Sequence, residues 1–492
     1  MNRQIAKLGA GLLVCYLALF VQLNYATVFG SGRFDDNASF QARELRQEYG
    51  AIRGTISTAD GTVVARSVRN PTGSDYDYSR EYPEGELFAH TVGYFTLEHG
   101  TAGVETTYED ELTGDTLDLT FQGIDDLFVD RERVGDLTLT LRSDAQAAAR
   151  DTLGEREGSV VAIDPRSGEI LALWSWPTFD PNAVASQDFA AADATFDALL
   201  ADEENPLRAR AYRDIFFPGS TFKPITASAG IERGEVTETE PVYPVSNGYT
   251  PPQTSRPLRN FGGSSCGGDL FEILRVSCNT AFAEMAIETG PEAMIATAEA
   301  YGFNNTPPID LPNAVASVYP TDFDQNLPAL AQTGIGQNDV SATPLQMALM
   351  AAAIANDGEI MAPRVVGEVR DDEGRVIDSP GTSVWRRAID PDTAAVLREA
   401  MVGVVEGGTA TNLAISGFAV GGKTGTAQLG TDPPRSHAWI VGFAGPEGEE
   451  PTVAVAVIVE GQEGASEQTG GRVAAPIARA VLQTVLAAQH GG

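Results

Sequence analysis

Residues 216–226 read FFPGSTFKPIT, and within them Ser220 and Lys223 stand three apart. The chain holds 33 basic residues, of which only Lys7, Lys223 and Lys423 are lysine. A position that keeps an amine against that background needs something arginine lacks. Arginine holds its proton at any working pH, whereas a buried lysine can lose its own and serve as a base. A serine hydroxyl becomes a nucleophile when a nearby base takes its proton. Pro218 and Gly219 interrupt the chain just before Ser220, and Pro224 fits only in the first turn of a helix. The spacing predicts a helix that begins at Ser220 and runs through TFKPITASAGIERG, with Lys223 one turn along on the same face. N–H groups at that helix N-terminus would favour a developing oxyanion. Coincidence is the competing reading, because S-x-x-K by itself is a weak motif.

Two further groups weigh against coincidence. Residues 277–279 are Ser-Cys-Asn, within LRVSCNTAFAEMA, and S-x-N alone carries little weight. Residues 423–425 are Lys-Thr-Gly, within VGGKTGTAQ. This motif uses the one remaining lysine outside the N-terminal segment. It opens a predicted strand with a hydroxyl and a glycine that lets a ligand lie close to backbone. S-x-x-K, S-x-N and K-T-G in this order form a specific joint signal for nucleophilic serine chemistry.

The elements that must position these groups are legible in outline. GTVVARSV (61–68) and DLTLTLR (136–142) are strand-like runs within a polar, irregular stretch over 26–156, expected to be an elongated module. From 157 the pattern changes. EGSVVAIDPRSGEILALWSW (157–176) reads as two strands joined by the turn DPRSG. SATPLQMALMAAAIANDG (341–358) reads as a helix ending at Asn-Asp-Gly. GKTGTAQ (422–428), HAWIVGFAG (437–445) and TVAVAVIVEG (452–461) read as three more strands with hairpin connections, and VAAPIARAVLQTVLAA (473–488) as a closing helix. Strands, many helices, strands and a helix predict an α+β fold, an antiparallel sheet flanked by helices.

With 492 residues the chain exceeds one compact domain. Net charge is −35, which argues against nucleic acid as a partner, since phosphates need a basic surface. Arg3 and Lys7 precede LGAGLLVCYLALFVQL (8–23). Charge on that side of an apolar run predicts a single-pass membrane anchor within residues 1–25, a cytoplasmic N-terminus and an exported remainder. No A-x-A-like site follows, which favours an uncleaved anchor over a signal peptide. Of three cysteines, Cys15 lies in the anchor, while Cys266 and Cys278 flank a short glycine-containing interval. Outside the cytoplasm these two form a disulfide or remain free thiols. A bond closing that loop would contribute about 3 kcal/mol. Neither metal nor organic cofactor is expected. His437 has no spaced partners and reads as a packing residue, and His90, His99 and His490 show no metal spacing. Trp174 and Trp176 alternate on a strand and read as core or groove wall, and EGEE (447–450) as a solvated turn.

The three motifs together resemble those of the penicillin-binding proteins and serine β-lactamases. RGTIS (53–57), YPEGELFAHTVGY (82–94) and GVETTYEDELTG (103–114) are similar to the N-terminal module of class B penicillin-binding proteins. GSVVAIDPRSGEILAL (158–173), FPGSTFKP (217–224), TGIGQNDVSATPLQMA (333–348), EGGTATN (406–412) and HAWIVGFAG (437–445) are similar to their transpeptidase domain. The resemblance implies an anchor over 1–25, a non-catalytic pedestal or dimerisation-type module over 26–156, and a transpeptidase domain over 157–490. It also implies peptidoglycan cross-linking. Ser220 would attack the D-Ala-D-Ala bond of a stem peptide, with Lys223 as its base. Ser277 would relay a proton to the leaving group, and Asn279 would position substrate and Lys223. Lys423 would supply positive potential and depress the Lys223 pKa. Thr424 and Thr426 would hydrogen-bond the substrate carboxylate, Gly425 would complete the substrate-binding strand, and backbone N–H groups of Ser220 and Thr426 would form the oxyanion hole. β-Lactams would acylate Ser220. A division role and a membrane partner such as a polytopic glycosyltransferase are further implications. Within S-x-N the middle residue is Cys278, so a bond to Cys266 would anchor the loop carrying Ser277 and Asn279.

Other readings fare less well. A β-lactamase needs a deacylating base, and EENPL (203–207) lies upstream of Ser220 and fits poorly. The N-terminal module and anchor argue against a D,D-carboxypeptidase. That module is too small for a glycosyltransferase domain. A non-catalytic β-lactam sensor or divisome scaffold would have no reason to retain Lys223 and Lys423.

Overall fold

The computed structural model describes residues 49–116, 119, 133–431, 435–462 and 468–490, with 7, 9, 11–20 and 22 near the N-terminus. Residues 11–20 are helical and exposed. The expected anchor over 8–23 lies partly outside the described residues, and among those described no helix is long and apolar enough to cross a membrane.

Eleven strands build two main sheets. They are β1 (Ile56–Ser57), β2 (Val63–Arg69), β3 (Tyr78–Glu81), β4 (Asp136–Leu139), β5 (Gly158–Ile163), β6 (Ile170–Trp176), β7 (Val366–Arg370), β8 (Val376–Asp378), β9 (Phe418–Gln428), β10 (Ser436–Pro446) and β11 (Val453–Val459). The principal helices are α1 (Ser143–Leu153), α2 (Lys223–Glu232), α3 (Asn279–Thr289), α4 (Pro344–Ala355), α5 (Pro391–Gly407) and α6 (Gly470–His490).

The catalytic-half sheet has the order β9-β10-β11-β5-β6. Every neighbour pair in it is antiparallel. The run VAVAVIV of β11 is buried at every position, as a central strand covered on both faces must be. Helices α1 and α6 pack together against β6, β10 and β11, while α4 packs against β5, β10 and β11. All twelve residues of α4 are buried. A helix that is apolar all round is a core helix. Its start is written in the sequence: Thr343 accepts a hydrogen bond from Gln346 N, and Pro344 occupies the first turn. The α+β layering expected from the element order is therefore present.

The second sheet has the order β8-β7-β4-β1-β2-β3, so residues 366–378 join strands from the first 140 residues of the chain. Sequence pattern gave no sign of this pairing. Asp310 ties the same two parts. It accepts hydrogen bonds from Tyr108 Oη at 2.9 Å, Val365 N at 2.6 Å and Val366 N at 3.0 Å.

Two of the segments quoted above, RGTIS and GVETTYEDELTG, meet in a buried ion cluster. Glu105 is fully buried and takes Arg53 Nη2 at 3.1 Å and Arg80 Nε at 2.6 Å. Tyr82 Oη donates to Glu105 at 3.3 Å and accepts from Phe95 N at 2.8 Å. Burial alone would push the Glu105 carboxyl up, but Arg80 and Arg53 outweigh it and hold the group below its usual range. Such a carboxylate stabilises the fold at pH values above its unfolded pKa, and the contribution is lost as pH falls through the folded value. Glu105→Gln leaves buried Arg80 without an ion-pair partner and Arg53 with only Glu109, 3.9 Å from its Nη1, and should cost about 3 kcal/mol. Urea unfolding of the two proteins at neutral pH checks this, and a loss below about 1 kcal/mol would contradict it.

Candidate active site

Ser220 lies in a 3-10 turn, Gly219–Phe222, that runs directly into α2. The expected helix start at Ser220 is thus tightened into a single 3-10 turn, with Lys223 opening the α-helix proper and Pro224 in its first turn. The turn is fixed from several directions. Gly219 N donates to Gly336 O at 2.9 Å, Thr221 Oγ1 to Pro218 O at 2.7 Å, and Trp439 Nε1 to Phe217 O at 3.1 Å. Gly219 has φ +56°, where a side chain would be strained. Ser220 remains half-buried at the edge of a cleft of about 930 Å³.

Strand β9 is the edge strand of its sheet and runs past this turn. A Cβ on Gly425 would stand 2.9 Å from Pro218 O and 3.0 Å from Thr221 Cγ2. The third residue of K-T-G must therefore be glycine so that the strand can approach the serine turn. Thr424 Oγ1 lies 2.7 Å from Thr409 Oγ1. Thr409, in the segment EGGTATN, was assigned no role by the motif reading, yet it shares the cleft wall with Thr424 and Thr426.

Ser277 has φ +60°, an uncommon conformation for a residue with a side chain. Cys278 caps the N-terminus of α3 and is bonded to Cys266, with Cα atoms 5.7 Å apart. That bond joins the Ser277–Asn279 loop to a ribbon formed by Tyr243–Ser246 and Cys266–Gly268. Asn260 reinforces the link. Its Oδ1 accepts from Thr280 N at 3.0 Å, and its Nδ2 donates to Ser246 O at 2.8 Å and Ser264 O at 3.0 Å. Sequence reading missed Asn260, because a lone asparagine in a loop carries no signature of burial.

The three motifs converge on Ser277. Lys223 Nζ lies 2.7 Å from Ser277 O, 3.1 Å from Ser277 Oγ and 2.8 Å from Asn279 Oδ1. Lys423 Nζ lies 2.9 Å from Ser277 Oγ and donates to Thr424 O at 2.9 Å. Both amines are fully buried. Burial, together with the Lys423 charge, pushes Lys223 well below the usual lysine range. Burial brings Lys423 down to about 7. As a neutral amine Lys223 has two N–H donors, which match Ser277 O and Asn279 Oδ1, and one lone pair with which to act as a base. Among the described residues Lys223 makes no hydrogen bond to Ser220. Its contacts run to the S-x-N loop instead. Asn279 Nδ2 donates to Arg259 O at 3.1 Å. His437 packs edge-on against Phe216, its Nδ1 accepts from Gly461 N at 3.1 Å, and burial lowers its pKa to about 4.

A half-buried serine one turn from a buried lysine, a second buried lysine and a hydroxyl-lined edge strand, carried on this α+β fold, define the penicillin-binding transpeptidases. The family model "Penicillin binding protein transpeptidase domain" matches residues 158–483, and "Penicillin binding protein A dimerisation domain" matches 53–137. The chain belongs to the penicillin-binding protein transpeptidase family and is a serine-type peptidoglycan D,D-transpeptidase. It is 36% identical to peptidoglycan D,D-transpeptidase PbpA of Mycolicibacterium smegmatis over 99% of both chains. Its identity to PbpA of Mycobacterium tuberculosis is also 36%, again over 99% of both. Among solved structures it is similar to a ceftriaxone acyl-enzyme complex of penicillin-binding protein A from M. tuberculosis. There the TM-score is 0.82 at 35% identity, covering 90% of this chain and 100% of that one.

The pH dependence follows from the lysine pair. Lys223 can act as a base only when neutral, so acylation should rise as pH climbs through its pKa. Lys423→Met removes the neighbouring charge, so the Lys223 pKa should rise and the acid limb should move to higher pH. Second-order acylation rates between pH 5 and 9 check this. An acid limb left in place would show that the Lys423 charge does not set it.

Proposed function

We propose that Ser220 is the nucleophile of peptidoglycan cross-linking in this chain and that β-lactams inhibit it by acylating the same atom. The convergence of Lys223 and Lys423 on Ser277 Oγ, beside a serine open to the cleft, carries the reading. The terminal D-Ala carboxylate of a donor stem peptide lies against Thr424 and Thr426, in the positive potential of Lys423. Lys223 takes the Ser220 proton as Oγ attacks the penultimate carbonyl. The negative charge that develops is stabilised by N–H groups of Ser220 and Thr426. A Cβ on Gly219 would stand 3.2 Å from Thr426 O, so that carbonyl faces the serine turn. In a strand the N–H of a residue points to the same side as its C=O, which supports Thr426 N–H as an oxyanion donor. The C–N bond then breaks. The proton passes from Lys223 through Ser277 to the departing amine, and D-Ala leaves. An amine of a neighbouring stem peptide attacks the ester by the reverse proton path and restores Ser220.

The protein works at the cell membrane, held by the N-terminal apolar segment with its catalytic part outside the cytoplasm. It serves septal wall synthesis beside a membrane-embedded glycosyltransferase. Intact mass after addition of benzylpenicillin tests the chemistry. Wild type should gain one penicillin and hold it, and Ser220→Ala should gain none. A transient adduct with antibiotic consumed would instead mark a β-lactamase. Depletion with imaging of septa tests the division role, and normal septation with altered lengthwise growth would count against it.

A further inference from the structure

We propose that Arg256 and Arg259 bind a second carboxylate of the donor stem peptide, carried by a residue upstream of D-Ala-D-Ala. This rests on reading the cleft as the donor site. The argument begins with charge. Asp and Glu make up 68 of 492 residues, about one in seven. Among the described residues none of those lining the cleft is acidic, while Arg256, Arg259 and Arg472 all line it. An acidic peptide approaching a chain of net charge −35 meets repulsion unless the cleft reverses the sign locally.

Many arginines of the chain are already neutralised by a neighbour. Arg66, Arg142, Arg210 and Arg275 are each paired with a carboxylate. Among the described residues Arg256 and Arg259 have no such partner, and both are exposed. Two exposed guanidinium groups without a carboxylate partner are available to an anionic ligand.

Their position fits the task. Leu258–Arg259 pairs with Gly248–Tyr249. The Arg259 carbonyl also accepts from Asn279 Nδ2 at 3.1 Å, which registers this segment against the S-x-N loop. Arg472 stands on the other side. It follows Gly471, whose Cβ would meet Thr424 Cγ2 at 3.5 Å. Arg472 thus lies by Thr424, where the proposed function puts the terminal carboxylate. A donor with no other carboxylate would leave the Arg256–Arg259 wall unmatched.

Two synthetic donors ending in D-Ala-D-lactate test this. One carries free carboxylates on the two residues before D-Ala, and the other carries carboxamides there. In the acylation step the Ser220 Oγ–acyl bond forms and the ester C–O bond breaks. The serine proton leaves with lactate, and release of D-lactate reports the rate. Wild type should prefer the carboxylate donor by about 10-fold at low salt, with the preference shrinking at high ionic strength. The Arg256→Gln/Arg259→Gln variant should reduce the ratio to near one. Equal rates on the two donors in wild type would overturn the proposal. So would a variant in which both rates fall alike and the ratio survives, because the arginines would then only support the loop. Absence of acylation by either donor or by benzylpenicillin would instead sink the Ser220 reading.

Discussion

Two buried lysine amines share one serine hydroxyl, and they cannot both be charged at low cost. Each ammonium has lost its water, and each raises the cost of the other's proton. The pair therefore tends toward one proton rather than two, and its titration belongs to both residues together. Burial and the Lys423 charge lower the Lys223 pKa and so favour its neutral form, while burial brings Lys423 down to about 7. A base and an electropositive wall arise from one residue type by environment alone. The cost is destabilisation of the folded state, and the packing around the site has to offset it.

That packing has a consistent design. Each of the three motifs is carried by a different kind of element, and each element is held from outside the cleft. The serine turn is bonded to Gly336 and to Trp439 of β10. The K-T-G strand lies at the sheet edge, so one side is locked to β10 while the other remains free to meet a peptide. The S-x-N loop holds a non-glycine residue, Ser277, in the left-handed region. It is also the most heavily braced, by the Cys266–Cys278 bond and the four-way bonding of Asn260. Bracing of a strained position is what keeps a functional geometry populated.

The first part of the chain is coupled to this site mechanically rather than chemically. Strand β7 carries residues of the catalytic half into the N-terminal sheet, and Asp310 holds both Tyr108 and the start of β7. The Arg53–Glu105–Arg80 cluster fixes the module from within. Gln146 of α1 adds a third tie, bonding Leu173 of β6 through both its N–H and C=O and reaching Leu87 O.

Much of the site was legible in the sequence because its rules are local. The i to i+3 spacing of Ser220 and Lys223 becomes one turn of helix, and the glycine of K-T-G is required wherever a strand must pass close to another backbone. Strand alternation, the Thr343-Pro344 start of α4 and the closing helix are likewise decided by neighbours along the chain. Sequence spacing leaves Cys266 and Cys278 between bond and thiols, and only the fold brings their Cα atoms to 5.7 Å and bonds them. Tertiary structure alone decided that Lys223 meets Ser277 and Asn279 rather than Ser220, that β7 joins β4, and that Asn260, Thr409 and Asp310 matter. Those contacts link residues far apart in the chain, and no periodicity or propensity encodes which distant partner a buried polar group will find. A lysine spared among arginines announces a chemical need, but the burial that lowers its pKa exists only once the chain has closed around it.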